Sequence, residues 1–287
     1  MRPAQPDDFR PPDLRFVPVE SLVPHERHDD QRLGALVEKF REEAVLRNPP
    51  VVAPIADSAD GSPRYMVLDG ANRATAGQAA GLLHMVVQVT PYGEPSVQLS
   101  TWHHGLSAMR AAEFDAACRA IAGLECVPQP LLHAQAQLAR REVLAYALHA
   151  GGEVITFGGG DTLGRRSELL NAIVDTYRER QPFYRMSTES FEVARERHPD
   201  VTGLVIFPHF APAEVQELAE NGARLPAGIT RHVIRWRALR VNVPMERMTD
   251  RTQSLEEKNR WLAGWLKQRF NDRQVRFYEE PTVLFDE

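Results

Sequence analysis

Hydrophobic positions along this chain follow two periods, and each change of period marks an element. Residues 14–19 form a short apolar strand after a proline-rich stretch. In "DDQRLGALVEKFREEA", Leu33, Leu36, Val37 and Phe40 recur at helical spacing behind Asp29 or Asp30 as cap, which predicts an amphipathic helix. "PPVVAPIA" and "RYMVL" flank the polar turn "DSADGSP" and predict a pair of strands. A small-residue helix over 71–80 stops at Gly81, and "HMVVQV" is the next strand.

Beyond residue 106 the pattern is different. "SAMRAAEFDAACRAIAG" and "LLHAQAQLARRE" read as helices, and "VLAYALHAGGEVITFGG" reads as a hairpin about Gly151-Gly152. "LGRRSELLNAIVDTYRER" places Leu169, Leu170, Ile173, Val174 and Tyr177 on one helical side. Then come the strand "GLVIFP", the helix "PAEVQELAENG" closed by Gly222, and the long, mostly extended "ITRHVIRWRALRVNVPM". The helix "SLEEKNRWLAGWLKQRF" and two short extended pieces, "QVRFY" and "TVLF", complete the pattern. The expectation is an α+β protein: a tail over 1–13, a compact α/β unit over 14–100 and a second mixed domain over 101–287. The least regular stretch, 91–106, marks the boundary.

Composition narrows the function classes. A chain of 287 residues with 43% hydrophobic content has enough apolar material for two cores. Its net charge of −5 offers no overall field for a nucleic-acid duplex, so nucleic acid is an unlikely partner class. Cys118 and Cys126 lack metal-ligand spacing and fit two idle thiols in a reducing compartment. With no apolar run near eighteen residues, no membrane partner is expected and the expected location is the cytoplasm.

Polar residues cluster at several turns. In "YMVLDGANRATAGQAAG", residues 65–81, a strand hands over to a helix at Asp69-Gly70, with Arg73 and Thr75 following. Asp-Gly is ordinary turn chemistry, but a glycine at a helix N-terminus also lets a phosphate approach the free N–H groups. Pro24 fixes the chain before His25-Glu26, a pair whose plain reading is a solvated loop. "STWHHGL" sets Trp102 beside two imidazoles, which would face opposite ways in a strand and so make no metal motif. "TFGGGDTLGRR" lacks the lysine and hydroxyl of a phosphate loop and reads as a hairpin exit. In "LPAGITRHVI", Thr230, Arg231 and His232 could converge on an anion, or mark an edge strand with outward charges.

Together, "RFVPVESLVPHE", "RNPPVVAP", "YMVLDGANR", "STWHHG" and "LPAGITRHVIRWRALRVN" resemble, in order and rough spacing, the free L-serine kinases built on the ParB/sulfiredoxin fold. The resemblance implies a ParB/sulfiredoxin-like N-terminal domain and phosphoryl transfer from ATP or ADP, with Mg²⁺, to L-serine. It assigns Glu26 as the base and Asp69 as a catalytic acid that binds Mg²⁺ or orients the reacting groups. Gly70, Ala71, Asn72, Arg73 and Thr75 would form the nucleotide-binding turn. Trp102, Thr230 and His232 would line the amino-acid pocket, with Arg231 as carboxylate partner. The chain departs from the pattern at Asn72, where the family usually has histidine; an amide can donate a hydrogen bond but carries no charge. The same scaffold also serves DNA-binding regulators and sulfinic-acid repair. The first would need a basic recognition helix after residue 106, where the Ala-rich helix is nearly neutral, and the second a thiol in the 70–73 turn.

Overall fold

The structure, a computed structural model, describes residues 11–27, 34, 37–38, 42–178, 180 and 183–278. Most of the helix expected over 29–44, the tail before residue 11 and the "TVLF" strand lie outside them. Among the described residues the protein is a mixed α/β fold with two main sheets and two short two-stranded ribbons.

The first sheet has five strands: β1 (Asp13–Pro18), β2 (Leu22–Pro24), β4 (Val51–Ile55), β5 (Arg64–Asp69) and β6 (His84–Val89), in the order β1-β6-β4-β5-β2. The β4–β5 pair is antiparallel, as the turn between them predicts, whereas β2 joins β5 and β6 joins β4 in parallel. β5 carries four consecutive buried residues, Tyr65 to Leu68, because both of its faces are covered. It ends at Gly70, whose φ of 82° and ψ of 27° turn the chain directly into α1 (Ala71–Ala79).

A short ribbon follows. β7 (Val97–Thr101) pairs with the distant β14 (Thr230–Ile234), and β3 (Val45–Leu46) pairs with β15 (Val243–Pro244). The second main sheet is antiparallel throughout, in the order β12-β8-β13-β10-β11-β9. Its strands are β8 (His103–Ser107), β9 (Glu125–Pro128), β10 (Ala145–His149), β11 (Val154–Gly158), β12 (Phe183–Met186) and β13 (Val201–Ile206). The supposedly irregular stretch 91–106 is therefore mostly strand: β7 and β8 are short, and only Trp102 separates them.

The remaining helices are α2 (Ala111–Arg119), α3 (Leu131–Ala139), α4 (Leu163–Arg178), α5 (Phe191–Arg197), α6 (Pro212–Glu220), α7 (Met245–Thr249) and α8 (Leu255–Asn271). On α4 the five apolar residues expected to share a side are all buried. One core cluster joins Ala53, Ile55, Met66 and Leu68 of the first sheet to Val205, Phe207 and Tyr177 around the second. The chain then returns: Val243, Met248 and Leu262 pack in the cluster of Phe16, Val67 and Val86. Ser254 caps α8 in a reciprocal box with Glu257, and Asn259 of α8 reaches the edge strand β1, accepting from the Phe16 N–H at 2.8 Å and donating to its carbonyl at 3.0 Å.

The long extended segment expected after Ile229 is shorter than its apolar alternation implied. β14 stops at Ile234, and Trp236, Arg240 and Asn242 take left-handed backbone with φ of 57°, 52° and 57°. Segment 235–242 is thus an irregular strap, and β15 resumes only at Val243. Residues 274–278, "QVRFY", carry no strand either.

Candidate active site

Glu26 follows β2, and loop 225–230 is fastened alongside it. The Leu225 N–H donates to the His25 carbonyl and the Arg27 N–H to the Leu225 carbonyl, both at 2.9 Å. Behind this clamp the Glu26 carboxylate gathers three donors: the Gly228 N–H on Oε2 at 2.7 Å, the Thr230 N–H on Oε1 at 2.7 Å and the Thr230 hydroxyl on Oε1 at 2.5 Å. An ionised carboxylate has about four lone-pair positions, two per oxygen. Oε1 is saturated, and one position on Oε2 is left to accept a proton.

Gly228 makes this loop possible, since its φ of 77° is left-handed and an added Cβ would lie 2.4 Å from Arg185 Nε. His25 is only 4% exposed, so the plain reading of a solvated loop does not hold. Its Nδ1 lies 2.6 Å from the Val67 carbonyl, which can only accept, and its Nε2 lies 2.8 Å from the Thr230 hydroxyl. Val67 O, His25, Thr230 and Glu26 thus form one continuous hydrogen-bonded chain. His232 stands against His25 with ring centroids 5.0 Å apart. Burial, reinforced by His25, pushes His232 down to about 3, so it is neutral; it donates to the Leu68 carbonyl and faces the Tyr92 hydroxyl at 3.1 Å. Burial holds the Tyr92 phenol well above its ordinary range, so Tyr92 keeps its proton and donates it to His232.

The second cluster lies at the end of β5, two residues beyond the Val67 carbonyl. Asp69 Oδ2 accepts from Arg73 Nη2 at 2.9 Å and from Arg237 Nη2, while Arg73 Nη1 donates to the Asn48 carbonyl at 2.6 Å. No side chain caps α1, whose first internal hydrogen bond runs from the Ala74 N–H to the Gly70 carbonyl. Among the described residues nothing accepts from the N–H groups of Ala71 and Asn72, which open toward an anion. Asn72 is exposed, and Ala71 and Thr75 are half-buried on the same two turns.

Glycine at position 70 is required twice over: its φ is left-handed, and a Cβ would meet Arg73 Nη2 at 2.8 Å and Pro50 Cα at 3.1 Å. Gly70→Ala is expected to destabilise the fold by about 1–2 kcal/mol, the cost of left-handed backbone for an L-residue, and to weaken anion binding at the turn because Arg73 must move. Urea unfolding and a nucleotide titration on that one variant check both effects. Unchanged values in both would remove the turn from the site.

Glu26, Thr230 and His232 are thus brought together, and so are Asp69, Gly70 and Arg73. Arg231 is not brought to Thr230 and His232: strand alternation turns it to the other face of β14, where its guanidinium stacks 4.6 Å from the centre of the Trp102 ring. Trp102 is itself tied by its backbone N–H to the Ile229 carbonyl at 2.8 Å. Sequence reasoning missed Tyr92, Asn48, Gln88 and Arg237. Only Arg237 left a trace, as one of several arginines in "RWRALR" that nothing in the pattern told apart. Both cysteines are free, and burial raises each thiol.

No family model matches the chain. An ATP-dependent L-serine kinase from Desulfurococcus mucosus is 32% identical over 112 residues, 39% of this chain and 42% of that protein. The matched stretch thus spans less than half of that relative. The ATP-dependent L-serine kinase SbnI of Staphylococcus aureus is 23% identical over 96% of this chain and 97% of its own. Among solved structures, a glutamate-to-glutamine variant of a free serine kinase in complex with AMP superposes with a TM-score of 0.69 at 20% identity, covering 83% of this chain and 95% of that one. The resemblance read from the motifs thus extends to the chain as a whole: it is similar to ATP- and ADP-dependent L-serine kinases and shares the fold of free serine kinases.

Proposed function

We propose that this chain transfers a phosphoryl group from ATP or ADP to the hydroxyl of free L-serine, giving O-phospho-L-serine. The observation that carries the reading is Glu26: a largely enclosed carboxylate whose orientation is fixed by three donors and whose Oε2 keeps one acceptor position. Phosphoryl transfer asks the protein mainly to align a hydroxyl with a terminal phosphate and to neutralise charge. Glu26 takes the serine hydroxyl's proton. Thr230 and neutral His232, on the same face of β14, are the candidates for holding the amino acid. Arg231, stacked on Trp102 across the strand, is not proposed as a contact, and Trp102 supports β14 from that side.

In the same reading, residues 14–100 form a ParB/sulfiredoxin-like nucleotide domain, and residues 101–287 complete the cleft. Gly70, the N–H groups of Ala71, Asn72 and Arg73, the Arg73 guanidinium and Thr75 receive the nucleotide phosphates. Asn72, exposed beside them, supplies a neutral donor where the family usually has an imidazole. Mg²⁺ fits the residues present. Among the described residues no three His, Cys, Asp or Glu side chains group to hold a metal, and Asp69 offers Oδ1, which bears no hydrogen bond. One carboxylate plus phosphate oxygens and water is how Mg²⁺ is usually held. When bound, the ion neutralises phosphate charge. A cytoplasmic setting, where serine and nucleotides meet, belongs to this reading; among the described residues no helix is long and apolar enough to cross a membrane.

The test is direct. The purified chain is incubated with L-serine, Mg²⁺ and either ATP or ADP, and phosphorus NMR follows O-phosphoserine together with ADP or AMP. Product with one donor is expected; no phosphoserine with either overturns the reading.

A further inference from the structure

Asp69 Oδ2 accepts from two guanidinium groups, and they differ in what else holds them. Arg73 is tied to Asp69 and to the Asn48 carbonyl. The Arg237 guanidinium, with a side chain 36% exposed, makes its hydrogen bond to the same oxygen, Asp69 Oδ2. One carboxylate and two arginines leave a formal charge of +1 beside the N-terminus of α1, in a chain whose net charge is −5. That charge is placed where an anion would dock.

The strap that delivers Arg237 is held with care. Gln88 on β6 is 3% exposed and uses both ends of its amide on the strap: Nε2 donates to the Trp236 carbonyl at 3.1 Å, and Oε1 accepts from the Ala238 N–H at 2.8 Å. The two bonds fall on the residues flanking Arg237. Farther along, the Arg240 N–H donates to Asn48 Oδ1 at 2.8 Å, and before the turn the Arg235 N–H donates to the Ser96 carbonyl at 3.0 Å. Asn48 thus touches both the Arg73 guanidinium and the strap. The left-handed Trp236, Arg240 and Asn242 are held in a conformation L-residues adopt at a cost, so the surroundings and not local preference set the strap's path. A plain ion pair at the surface would need none of this; exposed pairs are worth little to stability.

We propose that Arg237 is a phosphate-contacting residue, which exchanges Asp69 for the phosphates beyond the α-phosphate of the donor nucleotide, and that Gln88 is its positioning residue. The inference rests on the kinase reading and adds a cation from outside the strand-to-helix turn. A guanidinium presents paired donors to phosphate oxygens, so the exchange keeps its charge and hydrogen bonds satisfied in both states.

The experiment compares AMP, ADP and ATP, each with Mg²⁺, by titration calorimetry on the full chain and its variants, beside serine-kinase kinetics. Arg237→Ala is expected to bind AMP within about 2-fold of wild type and to lose about 10- to 100-fold for ADP and ATP, the range for one charge-assisted contact. Arg237→Lys should recover part of that loss. Gln88→Leu should change in the same direction with the KM for serine unmoved, and in the Arg237→Ala background it should add nothing. Gln88→Glu, which keeps the acceptor for Ala238 and loses the donor to Trp236, serves if the leucine variant does not fold. Equal losses for all three nucleotides, or none for ADP and ATP, overturn the proposal. If wild type makes no phosphoserine, the kinase reading fails alone and the nucleotide ranking still decides Arg237. If wild type binds none of the three, both fall.

Discussion

Glu26→Gln is expected to lower serine phosphorylation by about 10²–10⁴-fold, the usual contribution of a positioned general base, while nucleotide affinity stays within a few-fold. The shape of the side chain survives the change, but its chemistry fails in two ways. An amide cannot take the proton. It also offers one oxygen to a pocket with three donors, so its NH₂ group must face either the Gly228 N–H or the Thr230 pair. One buried donor is then unpaired, at about 1–3 kcal/mol of stability. The variant should therefore melt earlier as well as turn over slowly. The proposed nucleotide site should be spared, because Asp69, Gly70 and Arg73 make their contacts without Glu26. Single-turnover kinetics and calorimetry separate the effects, and a rate within a few-fold of wild type would exclude Glu26 as the base.

The second large effect is an acid instability that begins above the carboxylate range. Burial pushes His103 down to about 4, with His209 adding to the shift, and holds His104 and His232 at about 3. In the unfolded chain each would protonate near 6.5. Between about pH 6.5 and pH 4 the unfolded state therefore binds protons that the folded state refuses, and stability falls as pH falls. The limiting slope is about 1.4 kcal/mol per pH unit for each histidine, so about 4 kcal/mol per unit for the three together. Above pH 7 they add no slope. Glu220, held below the carboxylate range by the Ala56 N–H and Gln216, and Glu257, held down by the Ser254 cap, add losses only as pH drops through that range. Urea midpoints at pH 7.5, 6 and 5 should fall steeply, and His103→Asn should remove about a third of the slope. Midpoints that stay level from pH 7.5 to 5 would show that these imidazoles are not held neutral.

Most elements were legible because their patterns are local. The apolar run of β5, the Asp-Gly turn and the periodic face of α4 each lie within a few residues of sequence. The site is legible only in halves. Asp69, Gly70 and Arg73 are neighbours in the chain, whereas Glu26 meets Thr230 across two hundred residues, and no periodicity announces that pairing. Resemblance to a family supplied what spacing could not. For "TRH" the sequence left convergence and an edge strand both open, and strand alternation divides the three residues between two faces. The stretch 235–242 misled. Its alternation of apolar residues and arginines imitates a strand, while its conformation is set by Gln88 and Asn48, which lie far away in the sequence.

The reciprocal hydrogen bonds between Asn259 and Phe16 have a consequence for synthesis. β1 leaves the ribosome long before α8, the helix that covers its outer edge, because Phe16 and Asn259 lie 243 residues apart in the chain. Until α8 has been made, that edge presents unpaired backbone groups, the form in which strands recruit other chains. A nascent chain paused before residue 255 should therefore be more prone to aggregate than the full-length protein, and supplying α8 as a separate peptide should relieve it.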